Sequence, residues 1–411
     1  MNLFIRYSPI PLFFFTGVLF WQDSSLSNYE NYWISGADLN FPIDTAERVL
    51  RRLEVLDWSI GFGTDRANNL TTVPLWTLHW IFTKIPTVTG PQSVIIYSCL
   101  IISLAYISFL RLITLLLEID GFNFDSESRN EHIILSLAAT AYALCPYTFY
   151  LFSRLNTHSY IIFFTPFLLA LFIKLIVDRQ LDFFDKFVFC LSLILWFPLF
   201  SIQPPLLLTL VLFITLFCLL TYFRPKRFFC ISMSMVFIIC IFSVWWVVPY
   251  LNFLLNSGFL NSSDFKEQFD FFSLVKYSSS CSQIWNVITG FADTSWCQDH
   301  SYPHFPILNQ IQNSLFHISL LLVSTILGII FLLTVKSTFK KPLLICGVLF
   351  LILSAGTTPP FGNLFLYVFS EVPYLSMYRA PWMKFGFVFY LVEYLVFAYA
   401  LISLYRLRFN K

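Results

Sequence analysis

Residues 36–63 read GADLNFPIDTAERVLRRLEVLDWSIGFG, the first stretch of the chain in which carboxylates, aromatics and turn residues gather. Ala46, Val49, Leu50, Leu53 and Leu56 recur at three- and four-residue spacing, with Glu47, Arg48, Arg51, Arg52 and Glu54 opposite. That pattern predicts an amphipathic helix lying on a membrane surface rather than crossing it. Asp44-Thr45-Ala46-Glu47 has the spacing of a capping box at its start, which gives Asp44 a structural task as well as a candidate catalytic one. Asp38 lies outside that helix, in a Gly-Ala-Asp-Leu-Asn turn. Two readings stand for it: an Asx-turn residue, or a carboxylate displayed for chemistry.

What surrounds this stretch is mostly apolar. The 411 residues are 57% hydrophobic and 12% charged, with 50 Phe, more apolar surface than a soluble fold can bury. The chain reads as an all-α polytopic membrane protein forming a single domain over residues 1–411. A net charge of +2 says nothing about partners, and no basic tract points to nucleic acid, so none is expected. Residues 11–21 resemble a signal h-region behind Arg6, but Trp21-Gln22-Asp23 is a poor cleavage site, so the segment reads as an uncleaved anchor.

A bilayer needs roughly 20 apolar helical residues to be crossed. Runs of that kind fall at residues 7–21, 93–117, 132–152, 159–177, 187–202, 206–223, 228–255, 315–335, 343–355 and 384–405, about ten spans in all. Lys174, Arg179, Lys186, Arg224, Lys226, Arg227, Lys336, Lys340, Lys341, Arg406, Arg408 and Lys411 collect in alternate connections, predicting those as cytoplasmic together with both termini. The long loops at 22–72, 256–313 and 356–383 then lie outside. Residues 73–85, VPLWTLHWIFTKI, are too short to span and are expected in the outer interface, with Trp76 and Trp80 at headgroup level.

Two outer loops carry further polar chemistry. Residues 256–313 hold Trp285, Asp293, Trp296, Asp299, His300, Tyr302 and His304, aromatics that stack on sugar C–H bonds among groups that bind hydroxyls. The same aromatics also suit plain packing onto the bilayer. Asp299, His300 and His304 have a metal-like spacing but no further placed ligand, so neither a metal nor another cofactor is expected. Cys281 and Cys297 share this loop, while the other seven Cys lie in apolar segments, and a Cys281–Cys297 disulfide is predicted on an oxidising side. In the third loop, Arg379 and Lys384 flank the start of the last span and suit a lipid phosphate; Lys384 also suits ordinary snorkelling. The membrane interior is almost free of ionisable groups; the exceptions are Arg111 and Glu393, for which a structural pair is one reading although their depths differ by about a turn or two of helix.

Three blocks carry a resemblance to a known family. They are Asp38-Leu39-Asn40-Phe41-Pro42-Ile43-Asp44 with Leu56-Asp57-Trp58 and Gly61-Phe62-Gly63; Val73-Pro74-Leu75-Trp76; and Pro359-Pro360-Phe361-Gly362 with Tyr378-Arg379-Ala380-Pro381-Trp382-Met383-Lys384-Phe385. The chain resembles the GT-C fold of membrane glycosyltransferases, and within it the amino-terminal module of the alpha-(1→3)-arabinofuranosyltransferase family. The resemblance implies a polyprenyl-phosphate sugar donor, a glycan or lipid-linked acceptor, and transfer on the extracytoplasmic face of the plasma membrane. The residue chemistry fits that reaction: Asp38 is the candidate base for the acceptor hydroxyl, with Asp44 a second catalytic candidate, and Arg379 with Lys384 the candidate ligands of the donor phosphate. Trp58, Trp285, Asp293, Trp296, His300 and His304 form the expected substrate-binding set. A rival reading is a non-catalytic lipid or polysaccharide translocator, which needs no Asp38.

Overall fold

The apolar runs fold as helices. The computed structural model describes residues 9–10, 34–36, 39–41, 56–57, 64–65, 73–85, 88, 90–122, 129–153, 159–201, 204–221, 225–256, 271–292, 315–371, 375–378 and 380–409. In chain order the helices are α1 (Val73–Phe82), α2 (Gly90–Ile119), α3 (Arg129–Ala143), α4 (Pro146–Ser153), α5 (Ile161–Ile176), α6 (Phe183–Leu195) and α7 (Pro204–Thr221). They continue as α8 (Pro225–Asn256), α9 (Phe271–Ser278), α10 (Ile284–Thr289), α11 (Leu315–Thr334), α12 (Lys340–Ala355), α13 (Gly362–Glu371) and α14 (Pro381–Phe409). Stretches within α2, α7, α8, α11 and α14 are long and apolar enough to cross a membrane. The protein is a helical membrane-spanning protein.

α14 is the hub of the bundle. α12, α11 and α3 pack along it, α7 joins α12, and α2 pairs with α5 and α3. In lipid the helix satisfies its own backbone, so close side-chain packing rather than water exclusion holds such helices together. α5 shows this most fully, with residues from Ile161 to Ile176 buried on nearly every side. α8 and α11 are the opposite case: their spanning stretches are only 11% and 6% buried and present Phe237, Ile241, Ile326 and Leu333 outward. Such faces suit acyl chains.

The connections sort to two ends. At one, Arg179 pairs with Glu118, Arg227 with Asp178, and Arg406 Nε with Glu131 Oε1 at 3.0 Å. Asp120 accepts from Ser337 Oγ at 2.5 Å, Thr338 Oγ1 at 2.6 Å and Tyr399 Oη at 2.8 Å. The connections that charge assigned to one side therefore do share one end of the bundle. At the other end, residues of α4, α7, α9 and α10 meet the starts of α13 and α14.

Arg111 belongs to the basic end, and the Arg111–Glu393 pair does not form. Arg111 bonds Asp182 and Asp185, the latter at 3.1 Å, and Lys174 Nζ lies 2.6 Å from Asp185 Oδ2. Asp182 and Asp185 also cap α6 reciprocally, each side chain accepting from the other's backbone N–H. Glu393 instead hydrogen-bonds Ser324 on α11. Asp185 is 4% exposed as a side chain against 50% for Asp182. Asp185→Ala leaves two cations without their buried partner and is expected to cost about 3 kcal/mol, whereas Asp182→Ala costs about 1 kcal/mol or less. Thermal unfolding in detergent checks this, and equal melting shifts for the two variants would contradict it.

Other expectations are corrected. The span expected at 132–152 is broken between Ala143 and Pro146, where proline lacks the N–H that would continue α3. The run at 187–202 stops being α-helical at Leu195 and ends in a 3-10 turn, Phe197–Ser201. The helical fold carries two short antiparallel ladders, between β1 (Ile34–Gly36) and β2 (Leu39–Phe41) and between β3 (Leu56–Asp57) and β4 (Thr64–Asp65). Leu56 is thus in a strand opposite Asp65, not on the expected surface helix.

Candidate functional site

The end opposite the basic connections is built around the start of α14. Pro381 occupies the first helical position, where its missing N–H costs nothing. Lys384, in that first turn, is 4% exposed, so it is a buried lysine and not one reaching for headgroups. Its turn is held from several directions. Tyr147 Oη donates to the Met383 carbonyl at 2.8 Å, and the Tyr147 ring meets Trp382 edge-on at 5.0 Å. Tyr378 stacks on Phe385 at 4.8 Å, donates to the Pro205 carbonyl at 3.1 Å and accepts from Thr209 Oγ1 at 3.3 Å. Each aromatic here has an apolar body and a satisfied polar tip.

The segment 271–292 reaches the same end. α10 closes on Gly290 in the left-handed region (φ 85°), and a Cβ there would stand 2.6 Å from Pro146 Cβ. Only glycine allows α10 that close to the start of α4. Tyr390 donates to the Val287 carbonyl and accepts from Trp382 Nε1 at 3.1 Å, tying α10 to α14. Thr358 Oγ1 donates to the Ser282 carbonyl at 2.9 Å, joining the second and third outer loops. Gly356 sits against both Ser279 and Pro381.

α1 adds a third wall. It packs on the start of α2 rather than lying free in the interface, and Trp76 is fully buried, which corrects its expected headgroup position. His79 is 1% exposed, with Nδ1 3.1 Å from Ser93 Oγ and its ring 5.2 Å from Tyr97. Tyr97 in turn bonds Trp196 and Ser159. Burial holds the His79 imidazole down to about 4, the Ser93 bond opposing, so it is neutral at pH 7. The unfolded chain binds this proton near pH 6.5, so the stability His79 contributes is complete above pH 6.5 and is lost as pH falls to 4. The loss is about 3 kcal/mol. Melting curves of wild type and His79→Gln across that window should diverge, the variant being less acid-labile; parallel curves would contradict it.

Of the residues expected to act, the structure brings Lys384 and Cys281 into this end, and Trp285 lies on α10, half exposed. Cys281 is disulfide-bonded, while Cys99, Cys145, Cys190, Cys218, Cys230, Cys240 and Cys346 are free. Asp38, Asp44, Trp58, Asp293, Trp296, Cys297, His300, His304 and Arg379 lie outside the described residues, although β1 and β2 flank position 38 on both sides. His79 was not singled out by sequence reasoning; its signal was a lone imidazole in an apolar run between Trp76 and Trp80. No family model matches the chain, and neither a curated protein nor a solved structure does.

Proposed function

We infer that the protein is a membrane glycosyltransferase of the GT-C type, moving a sugar from a polyprenyl-phosphate donor to a glycan or lipid-linked acceptor. The observation that carries the reading is convergence. α1 from the second block, the Gly356–Thr358 turn and Lys384 beside and within the third, and α10 from the second outer loop all gather at the end opposite the basic connections. Alternating spans bring these connections to one end, and the contacts of Thr358 with Ser282 and of Gly356 with Ser279 and Pro381 join them there into one surface.

The chemistry follows from the residue types. Asp38 takes the proton of the acceptor hydroxyl as its oxygen bonds the anomeric carbon, and the bond from that carbon to the phosphate oxygen breaks. The electron pair leaves with polyprenyl phosphate, whose growing charge Arg379 and Lys384 stabilise. Direct displacement inverts the anomeric centre. The basic end faces the cytoplasm and the reaction occurs on the other side. Mass spectrometry of lipid retained by the purified protein tests the substrate class. A polyprenyl-phosphate sugar is expected, enriched over its share of the membrane extract; phospholipid in bulk proportion, with no such sugar lipid, would count against it.

A further inference from the structure

We propose that the basic end is a docking surface for the anionic phospholipid headgroups of its leaflet, centred on Lys186, Lys226, Lys336 and Lys341. Among the described residues at this end, Asp182 and Asp185 are held by Arg111 and Lys174, Glu118 by Arg179, Asp178 by Arg227, and Glu131 by Arg406. Asp120 is taken up by Ser337, Thr338 and Tyr399. The carboxylates are spent on the arginines and the one partly buried lysine. Lys186, Lys226, Lys336 and Lys341 are all exposed and take part in none of these pairs. α8 and α12 both begin at this end with no acidic residue in the first turn, so their positive helix ends add to the potential.

The neighbours of these lysines decide between a membrane and a soluble polyanion. Each stands beside a large exposed apolar side chain at helical or near-helical spacing. Phe183 (81% exposed) precedes Lys186, Phe229 (63%) follows Lys226, Leu333 (80%) precedes Lys336, and Ile345 (37%) lies one turn after Lys341. A cation next to an apolar residue that water would not tolerate marks the boundary between headgroups and acyl chains. Phe229 and Leu333 run on into the outward apolar faces of α8 and α11. A soluble acidic protein or nucleic acid would leave those side chains in water. Lysine is also the fitting choice, because a flexible point charge follows a mobile headgroup where a rigid guanidinium fork would not.

The test uses full-length protein in nanodiscs of equimolar phosphatidylcholine and phosphatidylglycerol, with bound lipids counted by native mass spectrometry. Wild type should retain phosphatidylglycerol in preference, with the preference weakening as salt rises. Each exposed lysine contributes about fivefold at low salt, so the K186Q/K226Q/K336Q/K341Q variant should lose at least about tenfold of the selectivity. K276Q, at an exposed lysine on α9 at the other end, should leave it unchanged. Equal retention of the two lipids by wild type, or unchanged selectivity in the quadruple variant, would overturn the proposal. So would an equal loss in K276Q. A soluble polyanion that binds wild type while the lipid preference is absent would assign the surface to another partner.

Discussion

Asp38→Asn is expected to lower sugar transfer by about a hundredfold or more while leaving donor lipid bound, because the amide keeps the shape of the side chain and removes the base. A hydroxyl is a weak nucleophile, and on the proposed reading the amide leaves it without a base to take its proton. Arg379→Ala is expected to act differently. On the proposed reading it removes a ligand of the donor phosphate, so donor affinity and rate fall together. Steady-state kinetics separate the two, since the first variant changes kcat and the second changes kcat and KM. If Asp38→Asn turned over like wild type, the carboxylate would be a turn residue and Asp44 the next to test.

Gly356→Ala is expected to unfold locally the end opposite the basic connections. Gly356 caps α12 at φ 58° and ψ −118°, a conformation that side chains other than hydrogen rarely adopt. An added Cβ would stand 2.5 Å from Ser279 Oγ and 2.7 Å from Pro381 Cγ, so the second outer loop, the third outer loop and the start of α14 cannot all keep their places. The strain is about 2–3 kcal/mol before any loop shifts. Ser279→Ala in the same chain removes one clash and should recover part of the loss. Thermal unfolding and limited proteolysis after Lys276 measure it; a variant as stable and as protease-resistant as wild type would show that the junction is loose.

Much of the architecture was legible because lipid imposes simple rules. Apolar runs had to be helical, and the surplus of Lys and Arg marked the connections that share one end. Pairing was harder to read. Arg111 finds Asp182 and Asp185, some seventy residues on in sequence, and nothing local distinguished them from Glu393. The Asp182-Phe183-Phe184-Asp185 spacing was nonetheless a visible capping signal. Cys145-Pro146 was a visible break in an apolar run, overridden by length in a reading that favoured one span. The pairing of β1 with β2 also had a signal, the Gly-Ala-Asp-Leu-Asn sequence that reads as a turn. The burial of Trp76 and His79 was not legible, since it depends on how α1 meets Ser93 and Tyr97. Interfacial tryptophans and packed ones look alike in sequence.

The central claim is that this bundle breaks a sugar–phosphate bond rather than merely carrying a lipid. The most direct measurement is the fate of a polyprenyl-phosphate sugar added to proteoliposomes with a hydroxyl-bearing glycan acceptor. The account predicts release of polyprenyl phosphate in equal amount to glycoside formed, with inverted anomeric configuration, and its loss in Asp38→Asn. Donor that stays intact while moving from one leaflet to the other, at the same rate in wild type and Asp38→Asn, would contradict it and identify a translocator.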